Sequence, residues 1–248
     1  MTPPAPHAAQ SDPMSSRHVL VTGANRGLGL EFTRQLLAGG DHVIAACRQP
    51  GKATALNTLA GEHPGRLHVL PLDLASPKSQ TELARELPLV LGEDGRLDLL
   101  LNNAGVLHSG ERFGHLTLAN FEDSFRTNAA GPLLLVQALA PLLADGGRVV
   151  NLSSELGSIA ATTRFGTPSY NLSKAAQNMA TALLAPALAE RGIVVVAVSP
   201  GWVRTDMGGA GAELAPAEAV AGILRVAGGL TPGDSGRFLD WRGRTVSW

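Results

Sequence analysis

Sulfur-containing, aromatic and charged residues are scarce in this chain of 248 residues. The only cysteine is Cys47, which excludes an intramolecular disulfide and a cysteine-rich metal site and is typical of a reducing compartment. Charged residues make up 17% of the chain, the net charge is −1 at pH 7, and the arginines are scattered. Without a basic stripe, nothing in the charge pattern favours a nucleic-acid partner.

Long hydrophobic runs are also missing. The longest apolar stretch, residues 133–144, is interrupted by Gln137 and Pro141 and is too short to span a bilayer. Residues 1–16 are rich in proline and alanine but lack the charged start and apolar run of a signal peptide, so we expect a flexible tail. The seven histidines show no helical pairing of the metal-ligand kind. We therefore expect a cytoplasmic protein with no membrane segment and no metal site.

Short apolar runs alternate with longer amphipathic segments through residues 17–248, and no linker interrupts them. Such alternation predicts parallel strands joined by crossover helices. We expect a single α/β domain, a doubly wound Rossmann-type fold with a mostly parallel seven-stranded sheet flanked by helices. Predicted strands cover residues 18–22, 42–47, 68–72, 97–101, 148–152, 194–199 and 236–239. Predicted helices cover residues 27–38, 77–91, 117–143, 169–191 and 216–227.

A glycine-rich turn follows the first predicted strand directly, with Gly23, Gly27 and Gly29 spaced G-x-x-x-G-x-G. Glycines at a strand-to-helix turn let the backbone approach a pyrophosphate, whose charge is then met by the helix N-terminus. A glycine cluster alone is also compatible with a turn that binds nothing. Its position after the first strand favours a dinucleotide site.

The second predicted strand ends at Cys47-Arg48, where an NAD-preferring site usually places an acidic residue for the ribose 2′-hydroxyl. Arg48, helped by Arg26 of the glycine turn, offers guanidinium groups that could instead pair with a 2′-phosphate. The alternative is a pair of solvated surface arginines. We expect a preference for NADP(H) over NAD(H).

The single tyrosine, Tyr170, and one of only three lysines, Lys174, lie four positions apart on a predicted helix. Residues at this spacing share a helix face, so the ammonium can lie near the phenol and lower its pKa toward the range useful for proton transfer. An ordinary surface pair is the alternative. Serines at the end of the fifth predicted strand are candidates to polarise a carbonyl, although Ser153 is also a plausible strand-end cap and Ser158 a loop residue.

These motifs together resemble the short-chain dehydrogenase/reductases of the classical type, over residues 17–248. The matching elements stand in the family's order along the chain. They are residues 22–29, Asp73-Leu74, Asn102-Asn103-Ala104-Gly105, Asn128, Ser154, Tyr170-Asn171-Leu172-Ser173-Lys174 and residues 199–205. Residues 153–159, 201–209 and 230–238 further resemble the subgroup of sniffer-type carbonyl reductases and C-factor-like proteins.

The resemblance implies a role for each matching residue. Tyr170 would be the general acid/base, Lys174 would bind the nicotinamide ribose and lower the tyrosine's pKa, Ser154 would polarise the carbonyl, and Asn128 would hold a water of the proton relay. The implied cofactor-binding residues are Gly23, Asn25, Arg26, Gly27, Leu28, Gly29, Arg48, Asp73, Leu74, Asn102, Ala104, Gly105, Tyr170, Lys174, Pro200, Val203 and Thr205.

One spacing departs from the family pattern, because the sixteen positions from Ser154 to Tyr170 exceed those of most members. Ser154 is still preferred, since it closes the fifth strand, whereas Ser158 follows a glycine that should already have turned the chain. The expected function is NADP(H)-dependent hydride transfer between nicotinamide and a small carbonyl or alcohol. The alternative is a nucleotide-binding signalling protein of the C-factor type with little turnover. The resemblance also implies a homodimer or homotetramer.

Overall fold

The computed structural model describes residues 16–93 and 95–248, so the expected tail lies outside the described residues except for residue 16. Seven strands form one sheet in the order β3-β2-β1-β4-β5-β6-β7, and every neighbouring pair is parallel. The strands are β1 (His18–Thr22), β2 (His42–Cys47), β3 (Leu67–Pro71), β4 (Leu97–Asn102), β5 (Leu143–Leu152), β6 (Val194–Ser199) and β7 (Phe238–Asp240). This is the predicted doubly wound fold, with a sheet that is parallel throughout.

Helices cover both faces of the sheet. They are α1 (Gly27–Ala38), α2 (Thr54–Glu62), α3 (Pro77–Leu91), α4 (Leu118–Phe125), α5 (Gly131–Leu139), α6 (Pro168–Leu188) and α7 (Pro216–Gly229). Alternate residues of one strand point to opposite faces of the sheet. Val19 and Val21 belong to the hydrophobic core between the sheet and helices α1 and α7. Leu20 belongs to the core on the other face, between the sheet and helices α3, α5 and α6. Strands buried on both faces explain the nearly continuous apolar runs of the sequence.

The long helix predicted over residues 117–143 is interrupted, because a π-helical turn, Arg126–Ala130, separates α4 from α5. Pro132 has no amide N–H to continue the helical hydrogen bonds, and Gly131 donates instead to the carbonyl of Arg126, five residues back. Gly131 is also pressed against the backbone, since a Cβ there would lie 2.7 Å from the carbonyl oxygen of Leu74. Only glycine fits at this position, and the π-helical turn divides the predicted helix without ending its helical backbone.

Two further differences concern short elements. Helix α2 and the 3-10 turn before it, Pro50–Lys52, were not expected, because segments of nine and three residues are too short for a helical pattern to stand out. The last strand begins at Phe238 rather than at Gly236, whose positive φ of 84° turns the chain. None of the described helices is both long and apolar enough to cross a bilayer.

All strands run the same way, so their carboxyl ends meet at one edge of the sheet. Strand β1 lies between β2 and β4. From β1 the chain builds the sheet outward through β2 and β3 on one side, and it then crosses over to build the other side from β4. A crevice opens at such a reversal of strand order, and it is the usual place for a ligand in open sheets.

Candidate active site

A cleft of about 770 Å³ lies at this edge. Its volume is in the range of cofactor and small-molecule sites. Fourteen of the residues implied by the resemblance line it: Gly23, Asn25, Arg26, Gly27, Leu28, Arg48, Asp73, Leu74, Ala104, Gly105, Tyr170, Lys174, Pro200 and Thr205. The structure thus brings together the glycine turn, the end of β2 and the start of α6.

Three residues expected to bind the cofactor lie behind the cleft wall instead. Asn102 is fully buried and donates through Nδ2 to Oδ1 of Asn151 on the neighbouring strand, 2.8 Å away, so it joins two strands. Val203 is buried and forms a bridge to Leu214. Gly29 lies beneath the turn, where its absent side chain lets the carbonyl of Gly23 approach. None of these three lines the cleft in the structure, and their direct contact with a cofactor stays a prediction.

Gly29 is predicted to be the glycine of α1 that tolerates a methyl group worst. A Cβ there would lie 2.2 Å from the Gly23 oxygen and 2.6 Å from Nδ2 of Asn103, which real contacts never show. We expect Gly29→Ala to lower the free energy of unfolding by about 1–3 kcal/mol, measured by urea denaturation.

Gly61→Ala is the matched control, because Gly61 is an exposed helical glycine with nothing within 4 Å of its Cβ position. It should stabilise by up to about 1 kcal/mol; equal effects of the two changes would contradict the packing argument.

The N-terminus of α1 is open to an anion. Its N-cap residue, Arg26, makes no side-chain capping bond, and no acidic residue stands in the first turn. The first backbone N–H groups of a helix have no partner within the helix, and they point at whatever lies before it. These features suit a pyrophosphate, and the glycine turn leaves room for it.

Two cations lie beyond the end of β2, and only one of them was expected. Arg48 lines the cleft together with Lys52, which the 3-10 turn Pro50–Lys52 brings back toward it. The sequence signal that could have identified Lys52 is its offset of four from Arg48 in a chain with three lysines. Arg26 also lines the cleft, but its guanidinium donates to Asp206 across it, at 2.9 Å. The expected pairing of Arg26 and Arg48 with a 2′-phosphate stays a prediction, and Lys52 is a further candidate because it lines the same cleft.

Tyr170 stands in the first turn of α6 and is 7% exposed. Burial raises its pKa to about 12, and the nearby hydroxyl of Ser154 lowers the pKa only in part. The expectation that Lys174 makes this phenol unusually acidic is wrong for this structure, because removal from water disfavours the phenolate more strongly. At neutral pH the phenol is a proton donor.

Lys174 follows one turn later, and its Nζ lies 5.6 Å from the centre of the Tyr170 ring. The two side chains thus share a helix face, as predicted from their spacing. The Nζ donates to the carbonyl of Leu152 at 2.6 Å and to Oε1 of Gln177 at 2.8 Å. Burial lowers the pKa of Lys174 to about 7.

The three serines after β5 make different hydrogen bonds. Ser154 is the one that reaches Tyr170, and it also accepts a hydrogen bond from the amide of Leu156. Ser153 is buried and donates to Oδ1 of Asn178 on α6. Ser158 donates to the carbonyl of Ser247 and is buried away from the cleft. Ser153 lines the cleft, and the preference for Ser154 as the residue that polarises a carbonyl stays a prediction.

Asn128 lies in the π-helical turn and is fully buried behind the cleft. Its amide makes three hydrogen bonds within the protein: Oδ1 accepts from the amide of Val106, and Nδ2 donates to the carbonyl of Val106 and to Ser173. The side chain therefore fixes the loop after β4 against α6. Its proposed part in a water relay stays a prediction.

The N-terminus of α6 is held by Glu111, a residue that sequence reasoning missed. Its carboxylate accepts from the amide and the hydroxyl of Ser169, at 3.1 and 2.9 Å. A carboxylate is favoured at this end of a helix by the unpaired N–H groups and by the helix dipole. Because Ser169 precedes Tyr170, this contact fixes the start of the turn that carries the phenol.

Known proteins resemble this chain over most of its length. Residues 17–213 match the family model described as short chain dehydrogenase. Among solved structures, the NADPH-bound carbonyl reductase from chicken fatty liver is 38% identical with a TM-score of 0.89, covering 95% of this chain and 100% of the other. The carbonyl reductase Sniffer of Drosophila melanogaster is 32% identical with a TM-score of 0.90, covering 94% and 100%. The C-signal of Myxococcus xanthus is 44% identical over 62% of this chain and 94% of its own.

Proposed function

Since the chain belongs to the short-chain dehydrogenase family, we propose that it is an NADPH-dependent reductase of small carbonyl compounds, with Tyr170 as its acid/base. The observation that carries the proposal is the meeting of two groups in one cleft. The open N-terminus of α1 and the cations Arg48 and Lys52 lie at one end, and Tyr170 lies at the other. A dinucleotide spanning them would place its reactive ring beside the phenol.

The cofactor is assigned as NADP(H) on the charge at the end of β2. Arg48 and Lys52 could pair with a 2′-phosphate, and no carboxylate stands on either side of Arg48, where Cys47 and Gln49 are its neighbours. The chicken and Burkholderia multivorans neighbours, which are 38% and 34% identical, were solved with NADPH and NADP bound. Other residues would hold the cofactor's middle and its far end: Asp73, Leu74, Ala104, Gly105, Pro200 and Thr205.

The residues at the far end could carry out a reduction. Bound NADPH supplies a hydride to the carbonyl carbon. Tyr170, neutral because burial raises its pKa to about 12, gives its phenolic proton to the carbonyl oxygen, which becomes the alcohol. The Ser154 hydroxyl stabilises the charge that develops on this oxygen. Two of the three protons of the Lys174 ammonium are donated to acceptors within the protein, and the third could be donated to the cofactor's ribose.

Aromatic carbonyl compounds are the substrate class that the neighbouring surface favours. Phe113, from the loop after β4, and Phe165, from the segment before α6, contact each other edge-on with ring centres 5.6 Å apart. They are 83% and 56% exposed. Val106 of the same loop and Tyr170 of α6 line the cleft. An exposed aromatic pair on these segments is typical of a binding surface for flat apolar molecules.

The proposal is tested by following NADPH absorbance with a panel of isatins, quinones and aromatic and aliphatic aldehydes. We expect turnover with some of the aromatic carbonyls and a lower kcat/KM with small aliphatic ones. Binding of NADPH without turnover of any compound would favour the alternative, a signalling protein similar to the C-signal. Failure to bind NADPH at all would contradict both.

Association into a homodimer or homotetramer stays a prediction. It is supported by large apolar side chains that α4 and α6 leave exposed, among them Leu118, Phe125, Leu172, Met179 and Leu183. Large apolar side chains left exposed on neighbouring helices often mark an interface.

A further inference from the structure

The inner face of α6 carries an unusual number of buried polar side chains. Ser173, Lys174, Gln177, Asn178 and Thr181 are each at most 4% exposed. Such groups are tolerated in a protein interior only when they are hydrogen-bonded. All but Gln177 have every side-chain nitrogen and oxygen paired.

Gln177 is fully buried, and its Nε2 is one of the few buried polar atoms without a partner among the described residues. Its other amide atom, Oε1, accepts from Nζ of Lys174 at 2.8 Å. An ammonium can only donate hydrogen bonds, so the amide oxygen has to face Lys174 and the NH₂ group has to face away. The amide is thus held in an orientation that satisfies Lys174 and leaves its own donor unpaired, at a free-energy cost.

The two protein partners of Lys174 leave its third proton free. One proton is bound by the Leu152 carbonyl at the end of β5, and the second is bound by Gln177 one turn further along α6. Nζ also lies 3.9 Å from the position that a Cβ on Gly105 would occupy, and both residues line the cleft. The remaining N–H of Lys174 can therefore point into the cleft.

We infer that Gln177 is a positioning residue, which holds the Lys174 ammonium so that its third proton points at the bound cofactor and its charge stays beside Tyr170. This inference rests on the proposed function, because it assigns a purpose to Gln177 only if a nicotinamide ribose lies in the cleft. No motif that the sequence analysis used includes Gln177.

Four ionisable groups near α6 could act on the charge of Lys174. Tyr170 lies on the same helix, and Glu111 binds Ser169 at the start of α6. Glu155 lies in the 3-10 turn packed against α6, and Asp123 lines the cleft from α4. Lys174 takes part in none of the ion pairs found in residues 16–93 and 95–248. The neutral amide of Gln177 is therefore its only side-chain partner among these residues, and a charge placed there should act on Lys174 directly.

The test measures the dissociation constant of NADPH by fluorescence from about pH 6 to pH 10 in wild type, Gln177→Glu and Gln177→Met. In wild type, affinity should fall as pH rises through the pKa of Lys174, which burial lowers to about 7. A carboxylate at 177 favours the ammonium, so the midpoint in Gln177→Glu should move up by about one pH unit or more. The thioether of Gln177→Met is only a weak acceptor, and the affinity of this variant for NADPH at neutral pH should be about tenfold weaker.

Thr181→Val is the control. Thr181 is equally buried one turn further along α6, where its hydroxyl accepts from Asn151 and donates to the backbone carbonyl of Gln177. It bonds neither the Gln177 amide nor Lys174, so its loss should lower Tm and leave the pH midpoint unchanged. If Gln177→Met does not fold, the direction of the midpoint shift in Gln177→Glu decides alone. If both Gln177 variants showed the same pH midpoint of NADPH affinity as wild type, with NADPH binding and carbonyl turnover intact, this inference would be overturned and the proposed function would stand. Absence of NADPH binding in wild type would overturn both.

Discussion

Replacing Tyr170 with phenylalanine is expected to lower kcat for carbonyl reduction by about two to four orders of magnitude while NADPH binds almost as in wild type. The change removes one oxygen from a side chain that is 7% exposed and keeps the ring that packs in the first turn of α6. The lost atom is the proton donor. Steady-state kinetics with the best compound of the panel and a fluorescence titration with NADPH separate the two effects.

Two serines provide the comparison for this experiment. Ser154→Ala should also lower kcat, because the Ser154 hydroxyl is the one within reach of the phenol. Ser158→Ala removes a hydroxyl bonded to the carbonyl of Ser247, and it should lower stability with little effect on kcat. Retention of more than about a tenth of kcat in Tyr170→Phe would contradict the assigned role, as would equal losses of kcat in the two serine variants.

The pKa of Tyr170 sets the direction of the pH dependence. A phenol with a pKa of about 12 remains protonated at neutral pH, so reduction has its acid available over the whole accessible range. Oxidation of an alcohol needs the phenolate, whose small fraction grows as pH rises. At saturating cofactor we therefore expect kcat for the alcohol reaction to rise from about pH 7 to about pH 10, and kcat for the carbonyl reaction not to rise.

Local patterns allowed the sheet and the centre of the site to be predicted. The strand of residues 18–22 and the helix of residues 27–38 coincide with β1 and α1, because apolar runs and a glycine turn mark their ends unambiguously. Tyr170 and Lys174 meet because a spacing of four places two residues on one face of any helix. Neither conclusion needed knowledge of distant parts of the chain.

What could not be predicted depends on contacts between distant segments. Asn102 was expected at the cofactor, yet its amide turns toward Asn151, since the β4–β5 register places the two opposite each other. Gln177 carried no signal, because the partner that its amide oxygen faces is known only once α6 is packed on the sheet. The raised pKa of Tyr170 likewise reflects burial, which a spacing rule does not report.

Arg48→Asp is expected to lower the ratio of kcat/KM with NADPH to kcat/KM with NADH by about 100-fold or more. The change removes a guanidinium that lines the cleft after β2, and such a charge-assisted contact contributes about 1.5–3 kcal/mol. It also places a carboxylate where it would repel a 2′-phosphate and could accept from a ribose 2′-hydroxyl. The loss with NADPH should therefore be accompanied by a gain, or at least no loss, with NADH.

Lys52 extends this argument, because it enters the same cleft from the 3-10 turn that follows Arg48. Lys52→Met alone should weaken NADPH binding about fivefold to tenfold. This effect is smaller than that of Arg48→Asp, because an ammonium is a point charge and lacks the bidentate geometry of a guanidinium. If both cations hold one phosphate, the two changes combined should differ from the sum of their separate free-energy effects. Arg225→Asp supplies the control, as it makes the same change in net charge at an exposed position of α7 away from the cleft. An unchanged cofactor ratio in Arg48→Asp, or an equal shift in Arg225→Asp, would mean that the 2′-phosphate is not held at the end of β2.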